Sequence, residues 1–225
     1  MKKDELRRIV ESYGQKYSEI LGIDLSVGRD EEVFKWFLAS VLFGAPITET
    51  SVIKTYKMFE KHGVLTPRRI LKTGWDGLVK ILDEGSYTRY DFKTADKLLE
   101  VMRNLLQKYN GSLSLIHNKA SDACDLESRI KALGRGIGDV TVSIFLRELR
   151  EIWQKADPNS TELVTVAAKE LELARREATG YEALSQLKDF WARNKIAGKS
   201  FVNFETALLR MGKEFRRKRK SAVFG

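Results

Sequence analysis

The sequence predicts an all-α protein, and three observations predict it. Apolar residues recur at i, i+3, i+4 and i+7 along most of the chain, the period of a helix with one buried face. No stretch alternates apolar and polar residues long enough to make a convincing strand. Helix punctuators stand between the stripes: Thr66-Pro67, Asn110-Gly111 and the glycine-rich GRGIG at 134–138.

Taken in order, EEVFKWFLASVLF at 31–43 is apolar on almost every side and predicts a central helix surrounded by others. Val52, Ile53, Tyr56 and Phe59 form the next stripe. Thr66 followed by Pro67 reads as an N-cap with proline at the first helical position. Trp75, Leu78, Val79 and Leu82 make a short stripe. Ala95, Leu98, Leu99, Met102, Leu105, Leu106 and Tyr109 make a long one, which Asn110-Gly111 ends. SLSLI at 112–116 alternates only briefly after Asn-Gly and reads as a loop. Asp125 reads as the N-cap of a helix bearing Leu126, Ile130 and Leu133. After Gly138 the period resumes with Val142, Phe145, Leu146, Leu149 and Trp153. Further helices are predicted at about 160–178, 181–195 and 201–214, for roughly nine or ten in all. No repeat or low-complexity linker interrupts them.

A chain of 225 residues suits one large domain or two modest subdomains. Lysine and arginine outnumber acids 40 to 31, for a net charge of +9. That balance favours a polyanion partner or simply a soluble, self-repelling surface. The basic run FRRKRK at 215–220 has the same two readings, a solvated terminus or an added phosphate contact. The single cysteine, Cys124, excludes an intramolecular disulfide, a four-cysteine zinc site and a cysteine-ligated iron–sulfur cluster. An intracellular setting is expected, since no apolar signal core follows MKKDELRR. The apolar run from Trp36 to Ile47 is too short to span a bilayer and contains Gly44 and Pro46, so no membrane association is expected. His62 and His117 lack ligand-spaced companions, so no metal held by side chains is expected.

Three glycines in the five residues of GRGIG are expensive in backbone entropy. The segment joins helix to helix, which excludes the strand-borne dinucleotide fingerprint. It also lacks the GK[ST] ending of a P-loop, because Asp139 and Val140 follow. What remains is a helix–hairpin–helix, whose glycines let backbone N–H groups face an anion beside the N-terminus of the next helix. Ile137 can tuck inward and pin the turn. The anion would be a DNA phosphate, held without reading sequence. An ordinary αα-turn with a glycine C-cap is the alternative. Arg135 inside the turn is a candidate phosphate contact or a solvated turn residue, and Asp139 supports the following helix.

Residues about 31–165 resemble the helix–hairpin–helix DNA glycosylase superfamily, which includes endonuclease III, adenine glycosylase and the 3-methyladenine glycosylases. Three segments carry the likeness: VLFGAPITETSVIKT at 41–55, LESRIKALGRGIGDVTVSIFLREL at 126–149 and ADPNSTELVTVAAKEL at 156–171. In the second, Leu133, Gly136, Gly138 and Thr141 stand in matching places. The resemblance implies two helical subdomains with a DNA-binding cleft. One, 33–148, would end in the hairpin at 126–149; the other, 1–32 plus 149–225, would carry Asp157 at the catalytic aspartate's place. Gly134, Arg135, Gly136, Ile137, Gly138 and Thr141 become the phosphate-binding set. Pro46 and Ile47 become candidate DNA contacts. Tyr87, Arg89, Tyr90 and Lys93 join them, because SYTRYDFKTADK at 86–97 interleaves aromatic and basic residues. The expected partner is double-stranded DNA containing a damaged base, bound by a monomer.

The implied reaction is hydrolysis of the bond between a damaged base and its sugar, after the base is flipped from the stack. A carboxylate near the sugar stabilises the oxocarbenium-like transition state or activates water. A unit charge about 4 Å away at an effective dielectric near 20 supplies roughly 4 kcal/mol, on the order of a thousandfold in rate. Asp157 followed by Pro158 also reads as an N-cap with proline in the first turn, and both readings stand.

Three departures from the superfamily matter. Val140 occupies the place of the lysine with which base-excising lyases form a Schiff base. The four-cysteine cluster of endonuclease III cannot be built. Pro46 stands where endonuclease III carries a glutamine that fills the gap left by the flipped base. These departures point to a monofunctional glycosylase, with alkylated purines as the favoured substrate and no cofactor beyond the sodium or potassium ion that relatives hold at the hairpin. The alternatives are a non-catalytic protein binding damaged or structured DNA on the same scaffold, and a glycosylase/lyase of endonuclease III type using another lysine.

Overall fold

A computed structural model describes residues 1–224, the side chains of 220 and 222–224 excepted. Among them lie twelve helices and no strand. These are α1 (Lys3–Tyr13), α2 (Tyr17–Ile20), α3 (Asp30–Phe43), α4 (Glu49–Lys61), α5 (Pro67–Glu84), α6 (Asp91–Tyr109), α7 (Leu113–Lys119), α8 (Ala123–Lys131), α9 (Asp139–Leu149), α10 (Glu162–Glu170), α11 (Gly180–Asn194) and α12 (Phe201–Phe224). The all-α expectation holds. The chain divides into two compact units, residues 21–158 and residues 1–20 with 159–225. The divisions fall at 20/21 and 158/159 rather than at 32/33 and 148/149, so Asp157 shares a unit with the glycine turn.

In the unit 21–158, α3 is the central helix that its all-round apolarity predicts. Trp36, Phe37, Leu38, Ala39, Val41 and Leu42 are wholly buried. The Trp36 indole donates to the Phe145 carbonyl at 3.0 Å, and Phe37 meets the Phe145 ring edge-on at 5.1 Å. These contacts seat α9 on α3. Gly44, just past α3, lies close against α9: a Cβ there would lie 2.2 Å from the Thr141 hydroxyl.

Capping follows the expected chemistry at several ends. Thr66 accepts from the Arg69 amide with Pro67 at the first position of α5. Gly74 has φ 70° and interrupts α5, separating the cap from the stripe that begins at Trp75. Asn110 adopts the left-handed conformation at the end of α6. Two expectations are corrected. SLSLI is not a loop: Leu113 and Ile116 are buried on α7, Ser112 caps its N-terminus, and the Ser114 amide donates to Asp30 at the head of α3. The buried pair, Leu113 and Ile116, is three residues apart, about one helical turn, and packing against α3 selects the helix. Asp125 is not the cap of α8; Asp122 is, accepting from the Asp125 amide at 2.8 Å. The Asp125 carboxylate instead pairs with Arg129 one turn on.

In the other unit, α12 packs against α1 and α10. The Asn203 amide donates to the Gly14 carbonyl at 2.8 Å, and Trp191 stacks on Phe204. The apolar period predicts neither α1 nor α2. α10 ends at Glu170, earlier than predicted, with Glu172 in the left-handed region. α12 runs well past 214. The basic run lies in its last turns, where Arg216 pairs with Glu162 at 3.6 Å and Arg219 with Glu170. Lys220 falls outside the described side chains. No helix among the described residues is long and apolar enough to cross a membrane.

Candidate functional site

The glycine turn is built by α8, α6 and α9. Leu126, Ile130 and Leu133 are fully buried and dock α8. The Asn104 amide of α6 donates to the Leu133 carbonyl at 2.8 Å, which fixes where the turn begins. The three glycines then answer to three different demands. A Cβ on Gly134 would lie 2.7 Å from Val101 of α6, so this glycine is a packing requirement. Gly136 has φ 81° and lies against the Lys97 side chain, a conformation open to glycine at little cost. Gly138 is extended, with φ −103°, and a Cβ there would meet nothing within 4 Å. Among the described residues nothing requires that glycine, and it leaves the outer surface bare.

Ile137 is buried, and its amide donates to the Gly134 carbonyl at 3.2 Å, closing the turn. Its N–H is therefore spent internally and is withdrawn from the phosphate-binding set. The Arg135 amide donates to Glu100 of α6 while its side chain is exposed. Among the described residues, no acceptor takes the amides of Gly136, Gly138, Asp139 or Val140. These donors sit at the start of α9, where the helix dipole is positive. Asp139 is exposed and salt-bridged to Lys131 at 2.5 Å, which holds its carboxyl below the usual range. Val140 is 63% exposed.

Thr141 is buried, its hydroxyl packed against Gly44, so its side chain does not reach the outer face of the turn. The 44–48 segment is thereby held beside the start of α9. Pro46 is exposed, Ile47 is half-buried, and Thr48 caps α4.

The aromatic and basic segment divides. Tyr87 is completely buried and donates its hydroxyl to the Leu42 carbonyl at 2.7 Å, so it is a core residue and not a DNA contact. Arg89 and Lys93 are exposed, and the Arg89 guanidinium lies 5.6 Å from the centre of the half-buried Tyr90 ring. The stripe of Trp75, Leu78, Val79 and Leu82 predicts an inward-facing Trp75. It is instead 37% exposed and pairs with the 55% exposed Phe92 at 5.1 Å. The signal for this was Gly74, which breaks the helix immediately before it.

Asp157 does not cap a helix. Thr161 caps α10, and the Asp157 carboxylate receives a hydrogen bond from the Arg150 guanidinium, which also donates to the Pro158 carbonyl. Arg150 directly follows α9, so the bare glycine and the aspartate are tied to opposite ends of that helix, about 18 Å of helix axis apart at 1.5 Å per residue. His117 stacks on Trp153 at 4.9 Å, and its carbonyl accepts from Lys155 at 2.9 Å. Among the described residues, no group of three or more histidine, cysteine, aspartate or glutamate side chains is placed to hold a metal ion. Comparisons with family models, with curated proteins and with solved structures give no match to this chain.

Proposed function

We propose that the chain grips the sugar–phosphate backbone of double-stranded DNA through a helix–hairpin–helix formed by α8, the glycine turn and α9, and that it is a monofunctional DNA glycosylase. The observation that carries the grip is the bare outer face of the turn. Among the described residues, four amides there lack an internal acceptor, and no contact demands that residue 138 be glycine. Such a surface suits an approaching phosphate oxygen. Exposed Arg135, Arg89 and Lys93 add positive charge, and the Trp75–Phe92 pair adds an exposed aromatic face.

Asp157 is the carboxylate for base excision. Arg150 fixes its direction, and the Asp157 side chain remains 45% exposed. Val140 supplies no amine, so excision would leave an intact strand at an abasic site. An alkylated purine remains the favoured substrate. The resemblance also implies a sodium or potassium ion at the hairpin. The carbonyls of Leu133, Gly134 and Gly138 each accept one hydrogen bond and keep a lone pair for such an ion. No step of the reaction depends on it.

The Arg150–Asp157 pair also favours a second reading. A guanidinium against the carboxylate offsets the negative field that an oxocarbenium needs, which suits a protein that binds damaged or structured DNA without turnover. One assay separates the readings. Labelled duplexes carrying different lesions are incubated with the protein, then treated with alkali or left untreated. Breaks only after alkali mark the glycosylase, breaks without it mark a lyase, and a mobility shift without breaks marks the binder.

A further inference from the structure

Three consecutive positions of the glycine turn rest on the 97–101 stretch of α6. Gly134 packs on Val101, the Arg135 amide donates to Glu100, and Gly136 lies on Lys97. A Cβ at Gly136 would stand 2.8 Å from Lys97 Cε and 3.4 Å from Nζ, so the ammonium reaches the turn itself. Lys93 lies one helical turn earlier on the same face of α6 and is exposed.

Two acids around the turn already have partners, and Asp96, which lies between the two lysines in sequence, is exposed. Glu100 receives the Arg135 amide, and Asp139 is held by Lys131. Among the described residues, no carboxylate forms an ion pair with Lys93 or Lys97. Lys97 is half-buried. Burial pushes its ammonium below the ordinary lysine range. It sits beside unaccepted amides at the positive end of α9. Like-signed groups gathered with no ion-paired carboxylate among them raise the energy of the free protein, and an anion between them relieves it. A lysine whose stem merely covered Gly136 would leave its head in water.

We infer that Lys97 is a phosphate ligand of the turn, supplying an ammonium beside the Gly136 amide, and that Lys93 carries the same strand onward along α6. This rests on the DNA-binding reading above and names a residue that the hairpin motif does not contain.

The test uses the full chain, as wild type, Lys97→Met and Lys97→Arg, with an undamaged fluorescent duplex titrated between about 50 and 200 mM salt. Lys97→Met keeps the stem over Gly136 and removes the charge. The expected result is affinity lowered about five- to tenfold, with the slope of log affinity against log salt shallower by about 0.9, one phosphate's worth. Lys97→Arg keeps the wild-type slope, and the thermal midpoint of Lys97→Met is unchanged or higher. A steep wild-type slope that Lys97→Met leaves intact overturns the inference and spares the DNA reading. A flat wild-type profile overturns both. A borohydride-trapped adduct on an abasic-site duplex that Lys97→Met abolishes also overturns it, because Lys97 is then a nucleophile.

Discussion

Arg150 holds Asp157 by a guanidinium–carboxylate contact in which the arginine side chain is only 6% exposed and the aspartate side chain 45%. The pair joins the segment after α9 to the segment before α10, and it fixes a carboxylate that is still open to solvent. Asp157→Asn should abolish base excision with duplex affinity within about twofold, since no phosphate is gripped there. The stability loss should be about 1 kcal/mol, small because the carboxylate is half in water. Single-turnover excision with a binding titration checks both, and an unchanged excision rate removes Asp157 from the chemistry.

The hairpin glycines separate a structural role from a binding one. Gly134→Ala forces a Cβ to 2.7 Å from Val101 Cγ2 and should cost about 1–3 kcal/mol through overpacking. Gly138→Ala meets no internal atom; its stability should stay within about 0.5 kcal/mol of the parent while duplex affinity falls severalfold. Urea unfolding and fluorescence anisotropy on both variants decide this. Undiminished affinity in Gly138→Ala would count against the phosphate site.

Gly44 and Thr141 should be energetically coupled. Gly44→Ala places a Cβ 2.2 Å from the Thr141 hydroxyl, so the start of α9 must shift, at about 1–3 kcal/mol. Adding Thr141→Ala removes the colliding oxygen and should recover part of the loss. A double-mutant cycle read by thermal unfolding should show a coupling of about 0.5 kcal/mol or more; strict additivity would mean that the contact relaxes freely.

Acid should weaken the unit around His117. Burial, with the Lys155 ammonium adding to it, holds the imidazole below its ordinary 6.5. The folded state binds this proton less readily than the unfolded one. The group's contribution is therefore intact above about pH 6.5 and is lost as the pH falls toward the lowered value. The thermal midpoint should drop between about pH 7.5 and 5.5, and His117→Gln should flatten that drop. Equal slopes in the two proteins would show that other groups dominate.

Much of the fold was legible because period and punctuation are local. The apolar period of α3 and α6, the Thr66-Pro67 start and the Asn110-Gly111 stop each depend on residues within a turn or two, and all reappear as predicted. The inward turn of Ile137 was legible too, as an isolated apolar residue between glycines. Less could be read where neighbouring residues had equal chemistry. Tyr87 and Tyr90 look alike in sequence, yet Tyr87 is sealed by the Leu42 carbonyl, 45 residues away. Arg147 and Glu148 are both buried, 3.8 Å apart, in the last turns of α9, and no local pattern marks them as interior.

By itself, the sequence determines that this chain is helical, that Gly134 to Gly138 join two helices, and that Val140 offers no amine. Tertiary structure alone decides which side chains that join leaves free. Gly134 is spent on Val101, Thr141 on Gly44 and the Ile137 amide on closing the turn, while Gly138 stays bare and Lys97 arrives from another helix. The division has one physical cause. Backbone conformation is set by neighbours along the chain, whereas burial, charge pairing and open surface are set by segments that meet only when the chain has folded.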